Sequence, residues 1–156
     1  MYSKLKNKTL IIIKKKLLLE SLIDTKKSYL VYKMRNSKIM RNNSINKRKI
    51  KFNTHKKWFY QFILQNKIYL VKYNSKYVGY LRLEFLKSNK INISIFIKKN
   101  FQNKNIASKI LKFALIKFKK YKFIAKVLKS NQISQSFFKK NGFKISDPKR
   151  RLFVIS

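Results

Sequence analysis

Between Lys90 and Ile97 the chain alternates strictly: Ile91, Ile93, Ile95 and Ile97 fall on one side, and Asn92, Ser94 and Phe96 on the other. Only an extended strand sorts those residues into two faces. From Asn105 to Lys119 the period lengthens to that of a helix, with Ala107, Leu111, Ala114, Leu115 and Phe118 on one side. The polar segment Lys98–Asn105 is too short to do more than turn one element into the other. Any fold for this chain must therefore contain a strand, a tight loop and a helix packed back against the sheet that the strand belongs to.

The flanking segments extend that unit. Lys67–Tyr73 and Tyr77–Phe85 also follow period two and are joined by Asn74-Ser75-Lys76, a turn-forming triplet. Thr9–Ile13 reads as a short first strand, and Phe123–Leu128 and Arg151–Ile155 as later ones. From Asp24 the residues Leu30, Val31 and Met34 recur at helical spacing up to about Arg35. Asn36–Asn53 is polar and basic, a loop with room for a short helix. Thr54 can cap a helix whose Trp58, Phe59, Phe62 and Ile63 form one apolar stripe. Asn131 can cap a last helix that stops at Asn141-Gly142, a pair suited to a left-handed C-terminal turn. The order is strand, helices, three antiparallel strands, helix, strand, helix, strand. It predicts an α+β fold with helices packed on a mostly antiparallel sheet. No linker, repeat or Pro/Gly-rich boundary divides the 156 residues, so residues 1–156 read as a single domain.

Composition removes several function classes. There is no cysteine, which excludes disulfides, zinc–thiolate sites and thiol nucleophiles, and the single histidine, His55, excludes a His-rich metal site. Leu10–Leu19 is interrupted by Lys14, Lys15 and Lys16, too short and too charged to span a bilayer or act as a signal peptide. A cytoplasmic protein without membrane or metal is the expectation. The charge is extreme, with 41 Lys+Arg against 4 Asp+Glu, a formal +37. Such a balance suits nucleic acid or ribosome contact. The lysines are spread along the whole chain, however, and with 2 glycines and 1 proline the composition also fits codon bias that fills surface positions. Either way, an anionic ligand is favoured.

Chemistry concentrates at two places. The loop Gln102-Asn103-Lys104-Asn105-Ile106-Ala107 precedes a helix, whose unpaired N–H groups and positive dipole end suit a pyrophosphate. Asparagine is next to glycine in tolerating the left-handed backbone that such a loop demands, and Lys104 adds a cation. The second place is the strand–helix unit ending in Asn131-x-x-Ser134-x-x-x-Phe138-x-x-x-Gly142-Phe143.

Together these two segments resemble the GNAT acetyltransferase superfamily. Asn131, Ser134, Phe138 and Gly142-Phe143 follow its C-terminal pattern, and Gln102, Asn105 and Ala107 fill its Gln/Arg-x-x-Gly-x-Gly/Ala loop. The resemblance implies a central, mostly antiparallel twisted sheet with helices on both faces, and acetyl-CoA as cosubstrate. It implies that the backbone of Ile95, Phe96 and Ile97 binds the pantetheine arm at a splay in the sheet. The segment Gln102, Asn103, Lys104, Asn105, Ile106, Ala107 and Ser108 would cradle the pyrophosphate, and Asn131, Ser134 and Phe138 would lie along the arm and thioester. Two departures stand out: asparagine at 103 and 105 where glycines are usual, and Phe138 where many relatives place a tyrosine that protonates the leaving thiolate. Arg35-Asn36-Ser37 with His55-x-x-Trp58-Phe59, and the strand Gly79–Arg82, resemble the PseH-like branch, which acetylates a UDP-linked aminodeoxy sugar.

Acetyl transfer needs a neutral amine, a polarised thioester carbonyl and a proton route. Glu84 shares a strand face with Arg82 and either accepts the proton or pairs with that arginine. His55, near a helix start, is a neutral base or sugar-binding donor, or else a surface histidine beside Lys56 and Lys57. Arg35, Asn36, His55 and Arg82 are the candidate substrate residues, with Arg35 alternatively a helix C-terminal cation. Trp58, Phe59 and Phe62 read as core. Three functions follow: transfer to a small-molecule amine such as a nucleotide sugar; transfer to a ribosomal or other protein amine; and nucleic-acid binding without catalysis on a degenerate version of the fold.

Overall fold

The structure, a computed structural model, describes residues 10–147, 149 and 152–155. Its strands are β1 (Leu10–Lys14), β2 (Leu17–Ser21), β3 (Lys67–Tyr73), β4 (Lys76–Leu86), β5 (Lys90–Ile97), β6 (Lys122–Lys126), β7 (Lys144–Asp147) and β8 (Leu152–Ile155). The helices are α1 (Ser28–Arg35), α2 (Lys38–Asn42), α3 (Phe52–Gln65), α4 (Ile106–Lys117) and α5 (Gln132–Lys140), with one 3₁₀ turn at Lys99–Phe101. The strands form one sheet in the order β1-β2-β3-β4-β5-β6-β8-β7. Every pairing is antiparallel except β5 with β6.

Strand alternation splits the core in two. Ile91, Ile93 and Ile97 of β5, Leu81 and Leu83 of β4, and Tyr69 and Val71 of β3 face α4 and α5, meeting Ile106, Ile110, Leu111, Ala114 and Phe138. Ile68, Leu70, Tyr80 and Phe96 face the opposite way, onto Val31 and Met34 of α1 and Phe59 of α3. Helices thus cover both faces, as the GNAT resemblance implies. Burying each of these aliphatic or aromatic side chains contributes about 1.5–3 kcal/mol.

Three local features position the site. The β3–β4 register slips between Val71 and Lys72, which leaves Val78 without a partner in β3 and turns it to the same face as Leu81. Beside this bulge lies Gly79, where an added Cβ would fall 2.0 Å from the Phe96 carbonyl oxygen. Finally, Glu20 on β2 accepts from Lys27 and from the Tyr77 hydroxyl (2.7 Å), tying the entry of α1 to β2 and β4.

Some elements differ from the sequence reading. Leu10–Leu19 is part of a hairpin, with Lys15 and Lys16 as its turn, so β2 is an additional strand. The lysines that look like an interruption are the reversal itself. Thr9 and Arg151, each the first residue of a predicted strand, lie outside the described residues. α1 begins at Ser28, because the Asp24 carboxylate binds the Lys26 amide (2.9 Å) and holds the preceding residues in a turn. α3 starts before Thr54, so that residue is inside the helix and caps nothing. β7 is a fourth departure: its four residues alternate too briefly to register as a strand.

Candidate active site

The parallel pairing of β5 with β6 runs through Lys90, Ile91 and Asn92 and stops at Asn92↔Ile124. Beyond that point β6 stays with β8, pairing Ala125 with Phe153 and Lys126 with Leu152, while β5 continues alongside β4 to Ile97. The two strands diverge and leave a wedge in the sheet. A cleft of about 690 Å³ fills it, with Ile95, Phe96 and Ile97 on one wall and Val127, Leu128, Asn131, Ser134 and Phe138 on the other. A strand edge that has lost its neighbour presents free backbone N–H and C=O groups, which an extended amide-bearing arm can satisfy.

At the upper end of β5 the chain turns through the 3₁₀ residues into α4. Gln102 lines the cleft and donates from Nε2 to the Ile97 carbonyl (2.9 Å). Asn103 and Asn105 both take the left-handed conformation, at φ 59° and 57°. They do conformationally what glycines would do there. Asn105 makes no side-chain cap and the first turn carries no acid, so the helix start is open. Among the described residues the amides of Asn103–Ser108 donate to no backbone carbonyl. Lys104 is exposed in the same loop, whereas Ile106 is buried and Ala107 packs on the core. Free amides, a helix dipole and a lysine make a fit for a pyrophosphate.

The opposite wall is set by α5. Asn131 accepts the Ser134 amide on its Oδ1 (3.1 Å), capping the helix and leaving its Nδ2 for the cleft it lines. Phe138 is buried in edge-to-face contact with Phe137 and Phe143. Gly142, at φ 89°, ends the helix and lets the Phe143 amide return to the Phe138 carbonyl (3.0 Å).

A second cavity of about 370 Å³ adjoins the first, lined by Val31, Arg35, Asn46, Ile50, Thr54, His55, Trp58, Ile68, Tyr80 and Arg82. Arg35, Asn46, Tyr80 and Arg82 belong to both spaces. Arg35 donates from Nη2 to the Asn46 carbonyl (3.2 Å), and Arg82 from Nη2 to the Ser94 hydroxyl (3.2 Å). The Arg35 Nη1 and Arg82 Nε groups are buried with no hydrogen-bond partner among the described residues. None of the four acidic side chains lines either cavity.

His55 is 2% exposed and its Nε2 lies 3.1 Å from the Ser28 carbonyl, the contact of an N–H donor. Burial pushes its pKa down, the Ser28 carbonyl opposes this, and the Arg35 charge adds to the fall. The surface alternative is thereby set aside, and burial is the largest cause of the fall. Burial also pushes the Tyr80 phenol up, against the charges of Arg82 and Arg35. Glu84 and Asn36 line neither cavity. The Glu84 carboxylate accepts from Asn92 Nδ2 (2.9 Å) and makes no pair with Arg82. Asn36 grips the Ile50 backbone with both polar atoms, each at 2.9 Å, and so closes the loop that carries α2.

The sequence reading gives no site role to Tyr80 or Ser94, which both line the cleft. Tyr80 lies two positions from Arg82 on β4, on the same face, and Ser94 is the cross-strand partner of Arg82. Strand alternation from Arg82 would have found Tyr80. The pairing of the two cavities needed the fold.

The model of the Acetyltransferase (GNAT) family matches residues 37–143, from the α2 region through the end of α5. The chain belongs to the acetyltransferase (GNAT) family. Acetyl-CoA is the cosubstrate a GNAT enzyme uses, and the cleft with its open amides fits it. RimL, a ribosomal alpha-N-protein acetyltransferase solved with coenzyme A, shares the GNAT fold at a TM-score of 0.73 and 15% identity, over 94% of this chain and 97% of its own. The microcin C7 self-immunity acetyltransferase MccE, solved with acetyl-CoA and AMP, gives 0.72 at 15% identity, over 92% and 93%. A putative acetyltransferase of Salmonella typhimurium, yncA, solved with acetyl-CoA, gives 0.66 at 15%, over 87% and 90%. At such identities the likeness is one of fold. None of the curated proteins compared matches the chain. Among the described residues of this GNAT enzyme, no group of acids or histidine is arranged to hold a metal ion, and no helix is long and apolar enough to cross a membrane.

Proposed function

We propose that this enzyme moves an acetyl group from acetyl-CoA, bound in the β5–β6 cleft, to the primary amine of a small anionic molecule seated in the second cavity. A UDP-linked aminodeoxy sugar is the favoured acceptor, in keeping with the PseH-like pattern of Arg35 and His55-x-x-Trp58-Phe59. The observation that carries this reading is the pair of buried, unpartnered N–H groups on Arg35 and Arg82, in walls without a carboxylate. A buried donor left unpaired costs about 1–3 kcal/mol, and an anion in the cavity that both arginines line would offset their charge.

In this reading the backbone of Ile95, Phe96 and Ile97 takes the pantetheine arm and the amides of Asn103–Ser108 take the pyrophosphate. Gln102 steadies the turn between them and Lys104 adds its charge. Asn131, Ser134 and Phe138 form the far wall. Two guanidiniums beside the acceptor disfavour its ammonium form, so the amine binds neutral and little base strength is required. His55, itself neutral, supplies a hydrogen-bonding edge to the acceptor pocket. Glu84 acts as a positioning residue that holds Asn92 in the cleft wall. The chain works as one domain, residues 1–156, in the cytoplasm.

A second reading, transfer to a ribosomal-protein amine, rests on the net charge of +37 together with the RimL-like fold. Thiol release from acetyl-CoA separates the two. With a UDP-linked aminodeoxy sugar as acceptor, Arg35→Gln and Arg82→Gln are each expected to raise KM for the sugar roughly 10-fold or more while acetyl-CoA affinity stays within about twofold. A wild-type enzyme that ignores the sugar, acetylates ribosomal proteins and co-sediments with ribosomes in moderate salt would instead establish the second reading.

A further inference from the structure

When the thioester carbon–sulfur bond breaks, the sulfur departs with its electron pair and needs a proton. Position 138, on the far wall of the cleft, is a phenyl ring and has none to give. The ionisable side chains lining the cleft are Arg35, Tyr80, Arg82, Lys99 and Lys126. Guanidinium groups keep their protons at any working pH. Lys99 and Lys126 are exposed, on the 3₁₀ turn and at the end of β6. Tyr80 differs from both kinds. Its side chain is almost wholly buried, yet it lines both cavities, and its hydroxyl makes no hydrogen bond among the described residues. It is also the cross-strand partner of Phe96, in the middle of the β5 segment that forms the cleft wall.

We propose that Tyr80 is the proton donor to the departing thiolate, in place of a hydroxyl at position 138. The acceptor nitrogen bonds to the thioester carbon, the C–S bond breaks, and the sulfur takes the Tyr80 proton. The phenolate left behind sits beside the Arg35 and Arg82 charges, which stabilise it until it regains the proton shed by the attacking nitrogen. Burial that raises the phenol pKa keeps Tyr80 protonated beforehand, and the two guanidiniums limit that rise.

This step rests on the acetyl-transfer reading but not on the identity of the acceptor. It can therefore be tested with hydroxylamine, a small nucleophile that needs no acceptor pocket, by following free thiol from acetyl-CoA. Tyr80→Phe is expected to bind acetyl-CoA as wild type does and to release thiol about 10²-fold more slowly, the usual scale of a lost general acid. Phe138→Tyr places a hydroxyl on the opposite wall of the same cleft, so the Tyr80→Phe/Phe138→Tyr double variant should recover much of the rate. A single variant with wild-type turnover overturns the proposal. So does a slow variant that also loses acetyl-CoA affinity, or a double variant with no recovery, since either gives Tyr80 a packing role. Wild-type turnover with hydroxylamine but none with the UDP sugar overturns the acceptor assignment alone, and no thiol release with either overturns both.

Discussion

His55 carries a burden that its surroundings make measurable. It is buried against the Ser28 carbonyl in a protein of +37, and its folded-state pKa is lowered by burial and by Arg35. A histidine held neutral in the fold takes up a proton more readily when the chain unfolds. The unfolded state therefore binds more protons below the ordinary histidine pKa of about 6.5, and stability falls as pH drops through that value toward the lowered folded one. Above pH 7 both states are neutral and the effect vanishes. Because this is the single histidine, the loss between pH 7 and 5 belongs chiefly to one residue. Thermal melting should show the midpoint falling over that interval in the wild type. His55→Gln should flatten the fall, and an unchanged slope in that variant would contradict the burial account.

Between elements, the decisive relation is the departure of β6 from β5 after Asn92↔Ile124, with β4 holding β5 in place on the other side. A Cβ at Gly79 would meet the backbone of Phe96 on β5, which cannot swing away. Gly79→Ala should cost about 1–3 kcal/mol and displace the Phe96–Ile97 end of the cleft wall. Its test is urea unfolding alongside acetyl-CoA affinity. A variant as stable as wild type with unaltered affinity would show that this close approach does not matter. Much of the sheet is legible in the sequence: Lys67–Tyr73 and Lys90–Ile97 are strands within the predicted bounds, because alternation is a local property. The left-handed stop at Gly142 and the left-handed Asn105 are legible for the same reason. The β1–β2 turn is not, because lysines carry no turn signature, and the identity of the turn is set by pairing across the hairpin. The site is legible in part. Arg35, Arg82, Asn131, Ser134 and Phe138 do line the cleft, whereas Asn36 and Glu84 turn to partners at Ile50 and Asn92 that only the fold brings near. In the sequence His55 reads as a site residue or as a surface residue beside Lys56 and Lys57, and only the placement of α3 from Phe52 shows that its ring is buried.

Taken as a whole, the molecule is a strong cation built around two adjoining spaces without a negative side chain in their walls. Charge of one sign around a cleft concentrates ligands of the other sign, and salt screens that attraction over about 8–10 Å at physiological ionic strength. Acetyl-CoA, with its phosphates, is a polyanion suited to this field. The same field serves an anionic acceptor, so both substrates should bind more weakly as salt rises. Everything proposed for Arg35, Tyr80 and Arg82 depends first on the donor entering the β5–β6 wedge with its pyrophosphate over Asn103–Ser108. Isothermal titration with acetyl-CoA tests that directly. The account predicts one site per chain, with affinity that falls as salt is raised. No heat of binding at millimolar acetyl-CoA in low salt would contradict it.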